Sequence, residues 1–156
     1  MSEVAPVPEH LGTLTPSLNL HDARTAVDFY TRAFGAEVLF AMDSPDGSGK
    51  IMHGEMKIGD SVFMFCDEDP DWAALSPISV GGCPLSLNLY FPDCDAVHAT
   101  ALEAGATEDR APTTYPWGER SSMITDPSGY RWAICTHVED VTEEELVKRL
   151  ETWDPS

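Results

Sequence analysis

His53 and Glu55 stand two residues apart, and their chemistry is the easiest in this sequence to write down. In an extended segment that spacing puts both side chains on one face. A histidine beside a carboxylate can act as a general base, with the carboxylate fixing its tautomer; the pair could also supply two metal ligands. Trp117, Gly118 and Arg120 fall around a later hairpin. The indole and guanidinium there could stack on or clamp a planar or anionic ligand. Ser17, Asn19, Ser86 and Asn88 carry hydroxyls and amides, and Tyr90 a phenol. Such groups line small-molecule pockets. Each set has a plainer alternative: a polar face with an incidental histidine, an arginine paired with one of many acids, or groups bonded to backbone or water.

Other candidates are weaker. No nucleophile motif, phosphate loop or Ser-His-Asp order stands out. Cys66, Cys83, Cys94 and Cys135 form no C-x-x-C pair, so they read as reduced, packed thiols, and Cys135 has nothing nearby to activate it. His98 lies beside apolar positions of a short helix and reads as packed. His21 and His137 carry little signal, and His10 falls in a leader expected to be mobile.

Charge excludes some partners. Lys and Arg total 9 against 27 Asp and Glu, a net charge of −18. Phosphate backbones and anionic membranes both need clustered cations, so neither nucleic acid nor membrane is an expected partner. Apolar residues make up 42% of the chain, enough for a packed core. No apolar run approaches the roughly 20 residues that span a bilayer. Met1-Ser2-Glu3 opens no secretory signal pattern, and the expected compartment is the cytoplasm.

An internal repeat organises these residues. Ser17-Leu18-Asn19-Leu20 recurs as Ser86-Leu87-Asn88-Leu89. Ala26-Val27 and Ala96-Val97, Gly35-Ala36 and Gly105-Ala106, and Gly59 and Gly129 share a common offset, one position longer than that of the tetrapeptides. Each copy reads as βαβββ. Strands are expected over 15–20, 37–42, 50–58 and 61–66, with a helix over 23–34 capped by Asp22 and closed by Gly35. Val27, Tyr30 and Phe34 form its apolar stripe. The second copy predicts strands over 85–90, 107–111, 120–125 and 130–137, and a helix over 94–104. Alternation turns Leu18, Leu20, Leu87 and Leu89 toward the helices; Thr15, Ser17, Asn19, Ser86, Asn88 and Tyr90 take the other face. Leu18 is expected to superpose on Leu87, and Gly35 on Gly105. The organisation expected is a leader (1–12), a first module (13–66), a linker (67–84), a second module (85–137) and a C-terminal helix and tail (138–156). The last helix starts at the capping box Thr142-Glu143-Glu144-Glu145.

Tandem units with these landmarks resemble the vicinal-oxygen-chelate superfamily, of the glyoxalase, bleomycin-resistance and dioxygenase type. The match rests on Ala26-Val27-Asp28-Phe29-Tyr30, Phe34-Gly35-Ala36, Asp126-Pro127-Ser128-Gly129-Tyr130 and Trp132. Lys50 to Glu55, Ile58-Gly59-Asp60-Ser61, Trp117-Gly118-Glu119-Arg120 and Thr136 to Val141 resemble the PhnB-like branch. The resemblance implies an α+β fold, with curved mixed sheets around a concave cavity. Metal-dependent members hold a divalent ion from the first and last strands of each unit. Carried over, those positions are Thr15, Phe63 or Met64, Ser86 and Ala133. None is a histidine or carboxylate, so no metal site and no cofactor are expected. The resemblance also implies a homodimer.

Three functions follow. The first is a metal-free binder of a small organic molecule, held by Ser17, Asn19, Ser86, Asn88, Tyr90, Trp117 and Arg120. The second is a lyase, isomerase or dioxygenase-type enzyme using His53 and Glu55 as acid and base or as relocated metal ligands. The third is an interaction protein whose cavity its own side chains fill.

Overall fold

The computed structural model describes residues 4–154, so the outermost residues of the leader and tail lie outside it. The described residues form two compact units: residues 4–84 with 127–129, and residues 85–126 with 130–154. Unit 1 runs β1 (Ser17–Leu20), α1 (Ala23–Phe34), β2 (Glu37–Asp43), β3 (Ile51–Ile58) and β4 (Ser61–Asp67). Its sheet order is β1-β4-β3-β2, with β1 and β4 parallel and the other pairs antiparallel. The segment that follows is not bare loop. It holds a 3-10 turn (Pro70–Trp72) and a short helix α2 (Pro77–Val80), each started by proline.

Unit 2 repeats the plan with β5 (Ser86–Tyr90), α3 (Cys94–Ala104), β6 (Thr107–Thr114), β7 (Glu119–Thr125) and β8 (Arg131–His137), followed by α4 (Glu143–Leu150). The order is β5-β8-β7-β6, again with only the outer pair β5 and β8 parallel. Two four-stranded mixed sheets with helices make this an α+β protein.

Local chemistry explains the elements. Asp22 and Asp93 accept from the backbone N–H three residues on and start α1 and α3. Gly35 and Gly105 end them at φ +66° and +115°, which side chains with a Cβ rarely adopt. Thr142 caps α4 through the N–H of Glu145 at 3.3 Å.

The sheet core of unit 1 is aromatic: Phe29, Tyr30, Phe34, Phe63 and Phe65 are all buried. Tyr30 meets Phe63 edge to face at 5.6 Å between ring centroids. Gly54 makes room for Phe65, since a Cβ there would lie 2.2 Å from the Phe65 ring. The matching core of unit 2 contains Trp132 and Ile134 but also polar groups, His98 and Ser122.

The identical tetrapeptides are not structurally equivalent. The caps Asp22 and Asp93, and the first helical residues Ala23 and Cys94, share an offset two positions longer than that of the tetrapeptides. The N–H of Ala23 donates to Asp67 and that of Cys94 to Thr136, near the ends of the respective last strands. Counted back from those bonds, Leu18 corresponds to Leu89, not Leu87. Leu18 pairs with Phe65, and Leu89 with Ile134. The second strand has slid by two residues. A slide of two keeps every side chain on its face, so the alternation conceals it.

The hairpins differ as well. Ile58 pairs with Ser61 across a two-residue turn, whereas Thr125 pairs with Arg131 across residues 126–130. Asp126 organises the longer turn. Its two oxygens accept from the Tyr130 N–H at 2.9 Å and the Trp132 indole N–H at 2.8 Å.

Candidate functional site

On unit 1, the sheet face away from α1 gathers four of the expected site residues. Ser17 pairs with Met64, Met64 with Glu55, and Glu55 with Phe40, so these four side chains form one row. Asn19 pairs with Cys66, and the Cys66 thiol donates to the Asn19 side-chain oxygen at 3.4 Å. His53 pairs with Met42 and lies 6.2 Å from Phe40 between ring centroids. The face thus mixes one carboxylate, one imidazole, a hydroxyl and an amide with thioethers, a thiol and an aromatic ring.

Glu55 is the centre of this arrangement. Its side chain is only 15% exposed. His53 Nε2 stands 3.8 Å from Glu55 Oε1, an ion-pair distance and not a hydrogen bond. The other oxygen, Oε2, is engaged at 2.9 Å by Nε2 of His10. The leader is therefore attached to the site at this residue. Nothing in the sequence signalled the contact: His10 and Glu55 are 45 positions apart and His10 belongs to no periodic element.

The alternation also settles the metal positions carried over from the resemblance. Met64 takes the open face and Phe63 the buried one. Thr15, Met64, Ser86 and Ala133 supply no imidazole or carboxylate, a donor set that does not fit zinc, iron or nickel. Among the described residues, no group of three or more His, Cys, Asp and Glu side chains is placed to hold a metal ion.

On unit 2, the corresponding face carries Ser86, Asn88 and Tyr90, paired with Arg131, Ala133 and Cys135. The Tyr90 hydroxyl donates to Glu119 Oε1 at 2.7 Å. That bond to a carboxylate favours the neutral phenol and raises its pKa to about 12. Burial pushes the Cys135 thiol up to about 11, so it is not activated.

Arg120 is elsewhere. It pairs with Thr136, on the face that α3 covers, and its guanidinium makes two bonds to Asp95. The cations on the open face are Arg110, beside Met123, and Arg131, beside Ser86. Trp117 does not meet Arg120 in a clamp. It stacks on Tyr115 at 4.5 Å and meets Trp153 edge-on at 5.7 Å. Tyr115 and Trp153, with Arg149, line a shallow groove at the β6–β7 hairpin.

The sequence reading also passed over a Ser-His-Glu constellation. His98 Nδ1 lies 2.9 Å from Ser122 Oγ and Nε2 lies 2.7 Å from Glu108. Ser122 is 2% exposed, on the helix face of its sheet. The hydroxyl has no access to a substrate, and the group holds α3 to β6 and β7. The reading of His98 as packed agrees with this.

Residues 10–134 match the model of the Glyoxalase/Bleomycin resistance protein/Dioxygenase superfamily, and the chain belongs to this family. An uncharacterized protein of Mycobacterium bovis is 35% identical over 136 residues, which cover 85% of this chain and 88% of that protein. A Mycobacterium tuberculosis relative has the same identity, over 85% of this chain and 79% of its own. A gene product from Arabidopsis thaliana has a TM-score of 0.63 at 25% identity, over 80% of this chain and 98% of that one. TioX from Micromonospora sp. ML1 has a TM-score of 0.60 at 21% identity, over 84% and 100%. A PhnB protein from Bacillus cereus has a TM-score of 0.61 at 17% identity, over 80% and 99%. The last two likenesses are of fold.

Proposed function

We propose that this protein binds a small organic molecule on the open faces of its sheets, without a metal at the positions that metal-dependent members use. The observation that carries the reading is the row Ser17–Met64–Glu55–Phe40 with Asn19 and His53 beside it. A few directional polar groups set among sulfur and aromatic surface is the make-up of a ligand site. Ser86, Asn88, Tyr90 and Arg131 offer a second such set on unit 2. The protein acts in the cytoplasm in this reading, and no helix of the described residues is long and apolar enough to cross a membrane. The net charge of −18 keeps it from nucleic acid.

The test is a thermal-shift screen of planar antibiotics and α-ketoaldehyde adducts, run beside metal analysis of the purified protein. A ligand that binds only the folded state raises the melting temperature. Stoichiometric zinc, iron or nickel that is lost on replacing Thr15 or Ser86 would overturn the metal-free reading.

A second reading, acid–base catalysis by His53 and Glu55, is favoured by their 3.8 Å approach on a half-buried face. It requires turnover of a bound compound that His53→Gln and Glu55→Gln each abolish while binding survives.

We also propose a homodimer. The edge strand β2 is exposed along its whole length, including Val38, Leu39, Phe40 and Met42. Such an apolar edge invites a covering partner. Sedimentation at micromolar concentration should give twice the 17.1 kDa chain mass; a monomer rejects the proposal.

A further inference from the structure

We infer that Glu55 anchors a cationic, N–H-bearing group of the ligand, and that the leader occupies this anchor through His10 when ligand is absent. The inference rests on the small-molecule reading above and adds the charge class of the ligand and a competitor for its site.

The argument begins with the carboxylate. A glutamate 15% exposed has lost most of its water and needs donors in exchange. Its row neighbours Met64 and Phe40 have no N–H or O–H in their side chains. Its two oxygens are served unequally. Oε2 is held by His10 at 2.9 Å, while His53 approaches Oε1 only to 3.8 Å. Among the described residues, the single short side-chain bond therefore comes from the leader, and the fixed partner on β3 is the distant one.

The leader is built to be displaced. His10 lies in no helix or strand, and its side chain is 51% exposed. Two hydrogen bonds near it are local: the Leu11 N–H donates to the Pro8 carbonyl, and the Thr15 hydroxyl to the Gly12 carbonyl. Val4, Val7 and Leu14 face solvent. Segments with so little apolar burial open at small free-energy cost. An imidazole on such a segment is a local stand-in for any N–H donor that fits the same oxygen.

Ligand charge follows from the same residues. An anionic group brought to Glu55 meets a carboxylate in a chain of net charge −18. An amidinium, guanidinium or protonated amine replaces the imidazole directly and makes a charge-assisted bond. Phe40, Met42 and Met64 supply aromatic and polarisable surface for the remainder of a planar cation.

The experiment compares three nearly isosteric probes, benzamidine, benzamide and benzoate, titrated into the full chain and followed by backbone amide NMR. The proteins are wild type, His10→Ala and Glu55→Gln, with His137→Ala as a surface control. Benzamidine should move the resonances of β3 and β4 and bind more tightly than benzamide, with benzoate weakest. His10→Ala should tighten benzamidine by about 3- to 10-fold, the range a single exposed hydrogen bond can hold back. His137→Ala should leave it unchanged, and Glu55→Gln should remove the preference for the cation. His10 is exposed, so its replacement tests the competition even if Glu55→Gln fails to fold. Equal affinities for benzamidine in wild type and His10→Ala would reject the leader as competitor. Binding of benzamide or benzoate to this face at least as tightly as benzamidine would reject the cation anchor while leaving the small-molecule reading standing. No response of the face to any probe, even in His10→Ala, would count against both.

Discussion

In unit 1 a carboxylate near the end of the last strand holds the helix, and in unit 2 a hydroxyl does the same work. Asp67 accepts from the Ala23 N–H at 2.8 Å and also from the Ile51 N–H at 2.6 Å. Thr136 accepts from the Cys94 N–H at 2.8 Å and donates its own proton to the Phe91 carbonyl. The cores diverge in parallel. Phe65 presses on Gly54 in unit 1, while the equivalent row in unit 2 sets Ile134 beside Ser122, which is bonded to His98. One strand order therefore accommodates an aromatic core or a partly polar one. The comparison teaches that the topology asks for a donor–acceptor match at each helix start and a filled core row; the residue that meets the demand is free to change.

Five measurements bear on that comparison. The largest effect is expected for Phe65→Ala. The lost ring faces a glycine that cannot fill the gap, so urea unfolding should show a loss of about 3–5 kcal/mol. Ile134→Ala should cost less, about 2–4 kcal/mol, because Ser122 and its neighbours can partly close the space. A reversed order would show that the Gly54–Phe65 contact is not the tight point of unit 1.

Next is the pair of helix fasteners. Asp67→Ala strands two backbone N–H groups and should lose about 2–4 kcal/mol, against about 1–2 for Thr136→Ala. Equal losses would mean that the two bonds accepted by Asp67 contribute no more than the two made by Thr136.

Arg120→Ala should change stability little, since water screens its pair with the half-exposed Asp95. It should also leave ligand affinity unchanged, because the side chain lies on the helix face of its sheet. A loss of ligand affinity would place the binding face of unit 2 on the wrong side of its sheet.

The smallest effects separate the units by pH. Hydrogen bonds from Ser79 and Ser76 hold the Glu68 carboxyl at about 2, below its ordinary 4.5. A depressed acid stabilises the fold above its unfolded pKa, and that contribution fades as pH falls from 4.5 toward 2. Glu68→Gln should flatten this acid limb. Tyr90 behaves oppositely. Glu119 raises its pKa from 10.0 to about 12, so its contribution is complete below pH 10 and disappears as pH rises through 12. Ultraviolet titration should show a tyrosine that ionises near 12, and Glu119→Gln should return it toward 10. Unchanged titration would mean that the hydrogen bond from Tyr90 to Glu119 does not persist in solution.

Much of the candidate site was legible before the structure. Period-two alternation put Ser17 and Asn19 on the cavity side of their strand and His53 and Glu55 together on one side of theirs; the register of the sheet brings the two pairs onto one face. Arg120 was expected near the cavity because it begins a strand that flanks it, and the face it takes escapes a local reading for a definite reason. A strand's parity relative to its neighbour depends on the length of the turn that joins them. The β7–β8 turn takes five residues where the β3–β4 turn takes two, and composition does not reveal that number. Trp117 was expected beside Arg120 on the basis of sequence proximity, but the hairpin sends one to Tyr115 and Trp153 and the other to Asp95.

Sequence alone determined what depends on near neighbours. The helix caps at Asp22, Asp93 and Thr142, the left-handed glycines at Gly35 and Gly105, the repeated βαβββ order and the packed role of His98 all follow from residues within a few positions of one another. Tertiary structure decided what depends on register and on distant approach: the two-residue slide that matches Leu18 with Leu89, the face taken by Arg120, the bonds of Asp67 across to α1 and β3, and the reach of His10 to Glu55. The physical reason is range. Backbone propensity and capping act within a turn or two of chain, whereas strand register and the partner of a covered carboxylate are settled only when remote segments compete for the same surface.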